Sequence, residues 1–130
     1  MKSKIFVLLS IIFVFILSSA AWGKAEIPEE IKKAAPPYPN AQVREVMKTP
    51  RGIGVILTSL ADTPQVVADF YKKEMIDRGW ILEAEKDLGG KINILLVKGD
   101  DIFQITIYGR NNQGASFVLF LKKKGKPEKE

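Results

Sequence analysis

The chain has 130 residues and a net charge of +5, and it contains no histidine and no cysteine. These absences exclude histidine- and thiol-based catalysis, imidazole and thiolate metal sites, and disulfides. We therefore expect no cofactor, no metal site and no catalytic residue. Nucleic acid is not expected as a partner either, because the excess of positive charge is small.

The N-terminal residues 1–23 are typical of a secretory signal peptide. A basic start precedes the apolar run Ile5–Leu17, and small residues follow it, with cleavage expected after Ala21 or Gly23. We expect a periplasmic or secreted bacterial protein. The alternative is an uncleaved inner-membrane anchor, because a spanning helix needs about 20 apolar residues and this stretch is only slightly shorter. Only in that alternative is a membrane a partner.

The segment from Asp62 to Trp80 predicts the main helix. Asp62 or Thr63 is expected to cap its N-terminus, Pro64 suits the first helical position, and Gly79 is expected to end it. The apolar residues expected to share one side are Val66, Val67, Phe70, Tyr71 and Met75, with Ile76 off that side.

Around this helix the sequence predicts about six strands, in the order β-β-α-β-β-β-β. Turns rich in glycine, proline, aspartate and asparagine separate most of them, so the sheet should be mostly antiparallel. The fold class is therefore α+β, with one main helix packed on one face of the sheet. The predicted strands are residues 41–48, 53–60, 80–87, 92–98, 102–110 and 115–122.

A single domain is expected over residues 41–122. Residues 24–40 are expected to be a lead-in tether with a short helix that stays outside the core, with Tyr38 as its anchoring side chain. Three prolines at its end impose an extended connection. Residues 123–130 are expected to be a disordered charged tail.

Short motifs lie ahead of the first strand and along the helix: Pro37-Tyr38-Pro39-Asn40-Ala41, then Thr63, Val67, Phe70-Tyr71, Met75 and Gly79-Trp80. In these motifs the chain resembles small exported bacterial domains of unassigned activity. The resemblance implies an α+β domain on the outer side of the inner membrane. It implies no catalytic residues.

One row of carboxylates and one single carboxylate are candidates for a cation or acid–base site. Glu83, Glu85 and Asp87 alternate along the third predicted strand, so they are expected to share one face. That face is either a cation or acid–base site or the solvent side of the strand, and we favour solvent. Glu74 is either a carboxylate buried in the apolar stripe or an ion-pair partner of Arg78, and we favour the ion pair.

The fourth and last predicted strands are apolar on both sides, which is typical of strands covered on both faces. One helix covers one face only. The second face must then be covered by the lead-in segment, by curling of the sheet or by another chain, and an uncovered apolar patch usually marks a partner surface. The candidate interaction residues are Ile56, Leu95, Val97, Tyr108, Val118 and Phe120.

These patterns favour a non-enzymatic exported domain that binds a protein partner, or another copy of itself, through this second face. One alternative is a small-ligand carrier or a carboxylate-based enzyme in a curled sheet. Another is an envelope structural domain held by an uncleaved N-terminal anchor. A flat apolar face favours the first hypothesis, and an enclosed cavity favours the second.

Overall fold

The computed structural model describes residues 26–110 and 114–123, which form one six-stranded antiparallel sheet and two helices. The predicted α+β class with an antiparallel sheet is confirmed. The predicted signal peptide and residues 124–130 of the predicted tail lie outside the described residues. The elements are α1 (Glu29–Ala34), β1 (Gln42–Thr49), β2 (Gly52–Ser59), α2 (Pro64–Asp77), β3 (Ile81–Asp87), β4 (Lys91–Lys98), β5 (Asp101–Gly109) and β6 (Ala115–Lys123).

The ends of α2 follow the predicted signals. Thr63 is the N-cap, because its side-chain oxygen accepts a hydrogen bond from the backbone N–H of Val66 at 3.4 Å, and Pro64 occupies the first turn. Gly79 follows the C-cap with a φ of 95°, in the left-handed region that favours glycine. Asp62, the other predicted cap, instead accepts a hydrogen bond from the hydroxyl of Tyr38.

The buried side of α2 is narrower than predicted. Val67, Ala68, Tyr71 and Met75 are buried, and Phe70 is partly buried against them. Ile76, predicted to lie off the apolar side, is exposed. Val66, predicted to share that side, does not share its burial, since its side chain is 48% exposed. A straight helix on a sheet buries one stripe at spacings of three and four residues, and Val66 lies to the side of the Val67-Tyr71-Met75 stripe.

The strands lie in the order β1-β2-β6-β5-β4-β3, and every neighbouring pair is antiparallel. The β1–β2 hairpin therefore joins the four-strand meander β3–β6 through the pairing of β2 with β6. β1 carries one extra residue at Arg44, and β3 carries one at Glu83, as the registers show. Each bulge reverses the alternation of side chains beyond it.

The core lies between the sheet and the helices. Inward-facing residues of β2, β4, β5 and β6 meet the buried residues of α2 in one cluster. This side of the sheet, covered by the helices, is called the inner face. Its fully buried strand residues include Val55, Leu57, Ile94, Leu96, Phe103, Ile105, Ile107, Phe117 and Leu119.

The lead-in segment differs from its prediction, because it is part of the core. Ile31, Ala35 and Tyr38 are buried, and α1 packs against β6 and β2. The ring of Tyr38 meets that of Phe117 with centroids 5.5 Å apart. α2 packs mainly on β3, β4 and β5, so the β2–β6 half of the inner face is left for α1 to cover.

Candidate interaction face

The side of the sheet turned away from both helices is called the outer face. Its composition follows from strand alternation: Phe117 and Leu119 of β6 are buried on the inner face, so Val118 and Phe120 point to the outer face. The cross-strand registers extend this assignment to the other strands, because directly opposed residues share a face. Apolar residues that reach the outer face in this way are Met47, Ile56, Ile81, Leu95, Val97, Ile102, Tyr108, Val118 and Phe120.

All six residues proposed from the sequence lie on this face, and the register brings several of them together. Ile56 is directly opposite Val118 across β2 and β6. Phe120 and Leu95 lie in one row on either side of Gln104. The centre of the face is therefore mostly apolar on β2 and β6. Gln104 and Thr106 of β5 separate this part from Leu95 on β4.

Three outer-face residues were not singled out from the sequence. Ile102 is opposite Val97, and its parity relative to Gln104 would have identified it. Met47 and Ile81 lie on the edge strands β1 and β3. Bulges shift the parity of those strands, so no alternation pattern assigns Met47 to this face.

Gly54 allows two neighbouring side chains to close over the centre of the outer face. A Cβ atom at this position would lie 2.8 Å from Cδ1 of Phe120 and 2.9 Å from Cε of Met47. Both side chains therefore lean over the glycine and cover it, so Gly54 is buried although its strand position points outward. At this position the surface of the face is therefore formed by apolar atoms of Phe120 and Met47.

Nothing in the described part of the chain lies over this apolar centre. The two helices share one core cluster, which contains the inward-facing residues and none of Ile56, Leu95 or Val118. These three side chains are half-buried by their neighbours in the sheet, and Tyr108 is 43% exposed. The lead-in segment, one of the three covers considered from the sequence, packs on the inner face instead.

Charged side chains lie at the sides of the outer face. Arg44 and Glu45 belong to β1, and Arg44 donates a hydrogen bond from Nε to the hydroxyl of Thr58 at 3.3 Å. On the opposite side, Lys86 belongs to β3 and Lys91 to β4, where the Lys91 ammonium lies 5.6 Å from the centre of the Tyr108 ring. The face thus has charged side chains at its sides and a centre that is mostly apolar.

The predicted row of three carboxylates on β3 does not form. Glu83 is the extra residue of the bulge, and beyond it Glu85 is opposite Ile94 and Asp87 opposite Ile92, both buried on the inner face. Glu85 is held by an ion pair with Lys72 of α2 at 2.9 Å. The cause is the bulge, which changes the parity on which the prediction depended.

The other carboxylate interpretation is confirmed. Glu74 pairs with Arg78 at 2.7 Å, one turn apart on α2, and both side chains are partly exposed. Within residues 26–110 and 114–123, no group of three or more carboxylates is placed so that it can hold a metal ion.

A polar cluster separate from the outer face contains the hydroxyls of Tyr38 and Tyr71. The hydroxyl of Tyr38 donates to Asp62, and that of Tyr71 donates to the carbonyl oxygen of Pro36 at 3.1 Å. Burial, the hydrogen bond to Asp62 and its charge all raise the pKa of Tyr38. Burial, followed by the neighbouring Tyr38, raises the pKa of Tyr71. Both hydroxyls therefore stay protonated and join parts of the fold.

Comparisons with protein-family models, with curated proteins and with solved structures each found no match for this chain. No helix in the part of the chain that the structure describes is long and apolar enough to span a membrane. The geometry of the outer face is therefore the observation from which a function is inferred.

Proposed function

We propose that this chain is an exported, non-enzymatic domain that binds protein through the outer face of its sheet. The observation that carries the proposal is the apolar centre formed by Ile56, Val118, Phe120 and Leu95, which neither helix covers. An apolar patch rimmed by charged side chains is characteristic of protein–protein contact surfaces.

The open sheet supports contact over enclosure of a ligand. A small-molecule site surrounds most of its ligand with walls. Here β1 and β3 are separate edges at opposite ends of the sheet, and in residues 26–110 and 114–123 nothing closes the outer face into a barrel. The carboxylates that an enzyme would use are dispersed, since Glu85 pairs with Lys72 and Glu74 with Arg78.

Export is the second part of the proposal and is motivated by the N-terminal pattern of residues 1–23. Intact-mass measurement on the protein from cell envelopes is expected to show loss of the residues up to Ala21 or Gly23. A full-length mass would contradict cleavage and favour the anchored alternative.

Site-specific photo-crosslinking tests the contact surface directly. A benzophenone side chain replaces Tyr108 on the outer face in one variant and Ile76 on α2 in the other. The two sites are matched, because their side chains are 43% and 49% exposed. Irradiation of cells that express the full chain is expected to give protein adducts from position 108 and few from position 76.

Leu95→Asp in the position-108 variant is expected to remove those adducts, because it places a charge in the apolar centre. Circular dichroism checks that this protein is still folded. Equal adduct yields from the two sites, or none from position 108, would overturn the proposal whether or not Leu95→Asp folds.

A further inference from the structure

We propose that the protein bound to the outer face is a second copy of this chain, packed face to face about a twofold axis near the strand direction, between β6 and β5. This inference rests on the proposed function and gives it a partner. It is derived from the register of the sheet, the placement of charges and the size of the face.

The strand order defines which strands such an axis brings together. With six strands in the order β1-β2-β6-β5-β4-β3, the middle of the sheet lies between β6 and β5. A twofold axis there places β6 over β5 of the second copy, β2 over β4, and β1 over β3. Because the axis runs parallel to the strands, each residue lies opposite a residue of the second copy that belongs to the same cross-strand row. Closed dimers of this symmetry are the commonest soluble oligomers.

One row carries opposite charges at its two ends. Following the registers across the outer face, this row is Glu45, Ile56, Val118, Thr106, Asn93 and Lys86. The axis therefore places Glu45 over Lys86 of the second copy, and the pair occurs twice in the dimer. Both side chains are exposed, and neither makes a hydrogen bond or an ion pair to another described residue.

The next row places apolar side chains of the two copies over one another. It runs Met47, Gly54, Phe120, Gln104, Leu95 and Ala84. The axis places Leu95 over Gly54 of the second copy and Met47 over Ala84. In the following row, Val97 faces Gly52. Packed sheets interdigitate their side chains over a separation of about 10 Å, so Leu95 would meet the Phe120 and Met47 side chains that cover Gly54.

The area of the face is sufficient for a stable dimer. Six strands about 4.8 Å apart, each of roughly eight residues rising 3.3 Å, give a face of about 29 by 26 Å. Burying this face on both copies removes about 1,500 Å² from water. Stable protein interfaces of standard size bury about 1,200–2,000 Å² in total.

Charge reversal tests both the dimer and its register. The full chain is purified in the form in which cells accumulate it, and sedimentation equilibrium gives the dissociation constant of wild type, Glu45→Lys, Lys86→Glu and the double variant. Each single reversal is expected to weaken the dimer about tenfold, because it replaces two attractive pairs with two repulsive ones. The double variant restores the opposite charges, and its constant should return to near the wild-type value. Lys73→Glu, an exposed reversal on α2, should leave the constant unchanged.

Two outcomes would overturn the inference. A wild-type chain that is monomeric at about 100 μM, where a micromolar dimer is saturated, would exclude a stable second-copy partner. If neither charge reversal changes the dissociation constant of the dimer, this register is excluded. Neither outcome by itself contradicts protein binding. If the chain binds a different protein instead, adducts from position 108 would have the mass of this chain plus that protein. The absence of such adducts would contradict the proposed function as well.

Discussion

The hydroxyl of Tyr38 donates a hydrogen bond to the carboxylate of Asp62, and the two residues are 24 positions apart in the chain. Tyr38 follows α1, whereas Asp62 directly precedes the N-cap of α2. The Tyr38 ring also meets the Phe70 ring edge-to-face at 4.9 Å. The two helices are thus joined through one side chain, and they form a single layer over the inner face.

Replacing Tyr71 tests which side of α2 is buried. Tyr71→Ala should lower the free energy of unfolding by about 3–5 kcal/mol, the usual range for emptying a buried aromatic site. Phe70→Ala should cost less because Phe70 is only partly buried. Val66→Ala is the control and should change stability by about 0.5 kcal/mol or less, since this side chain is exposed. Urea unfolding followed by circular dichroism gives the three values. If Val66→Ala lowers the free energy of unfolding as much as Tyr71→Ala does, α2 is rotated so that Val66 is on its buried side.

The two buried tyrosines predict loss of stability at high pH. Folding raises the pKa of both Tyr38 and Tyr71. The protonated hydroxyls are therefore favoured in the folded state, and their contribution is fully present below about pH 10, the ordinary tyrosine value. It is lost progressively as the pH rises above that value, because the unfolded chain releases these protons first.

This pH dependence is measured by urea unfolding at several pH values between about 8 and 11. The variant with both Tyr38→Phe and Tyr71→Phe should be less stable at neutral pH, by about 1 kcal/mol for each lost hydrogen bond. Its stability should also fall less between these pH values than that of the wild type. An equal fall in the two proteins would show that other groups cause the alkaline loss.

Gly114 and Gly89 separate steric clash from backbone strain. Both have positive φ values, 80° and 95°, so alanine is strained at either position. A Cβ at Gly114 would also lie 2.2 Å from the carbonyl oxygen of Ser59, whereas nothing lies within 4 Å at Gly89. Gly89→Ala should cost about 1 kcal/mol, and Gly114→Ala should cost clearly more, by roughly 2 kcal/mol or above. Thermal unfolding compares them, and equal losses would contradict the close approach at Gly114.

The ion pair between Lys72 and Glu85 holds the edge strand β3 to α2. The carboxylate accepts a hydrogen bond at 2.9 Å and raises the pKa of the Lys72 ammonium. Glu85→Gln should cost only about 0.2–1 kcal/mol globally, because both groups are partly exposed. Its larger effect should be faster amide hydrogen exchange along β3.

The matched control is Glu74→Gln, which breaks the Glu74–Arg78 pair within α2. It should produce a similar global loss and leave β3 exchange unchanged. Hydrogen-exchange mass spectrometry on peptides covering residues 81–87 makes the comparison. Equal exchange in the two variants would mean that the bridge to Lys72 does not hold this edge.

The sequence predicted the elements well where one periodicity persists along the whole strand. In β5, Phe103 is inward and Gln104 outward, as the alternation predicted, and the strand ends agree to within one residue. The outer face was predicted for the same reason, since β4 and β6 are apolar on both sides and neither contains a bulge.

Local patterns were insufficient where long-range contacts decide the outcome. The bulges at Arg44 and Glu83 each change the face to which the side chains beyond them point. No periodic signal in the sequence marks these bulges on exposed edge strands. The sequence predicts a lead-in outside the core, because a helix this short is marginal in water unless it is docked and three prolines follow it. Its burial depends on an inner face that only the assembled sheet provides.

The pairing of β2 with β6 has a consequence for the order in which the protein is made. Of the six strands in the described residues, β6 is synthesised last, yet it lies between β2 and β5. Until residues 115–123 have emerged, the β1–β2 hairpin and the strands β3–β5 have no shared hydrogen bonds, and β2 and β5 each present an unpaired edge. Unpaired apolar edges attract other chains, so the growing polypeptide is most prone to aggregation just before β6 completes the sheet.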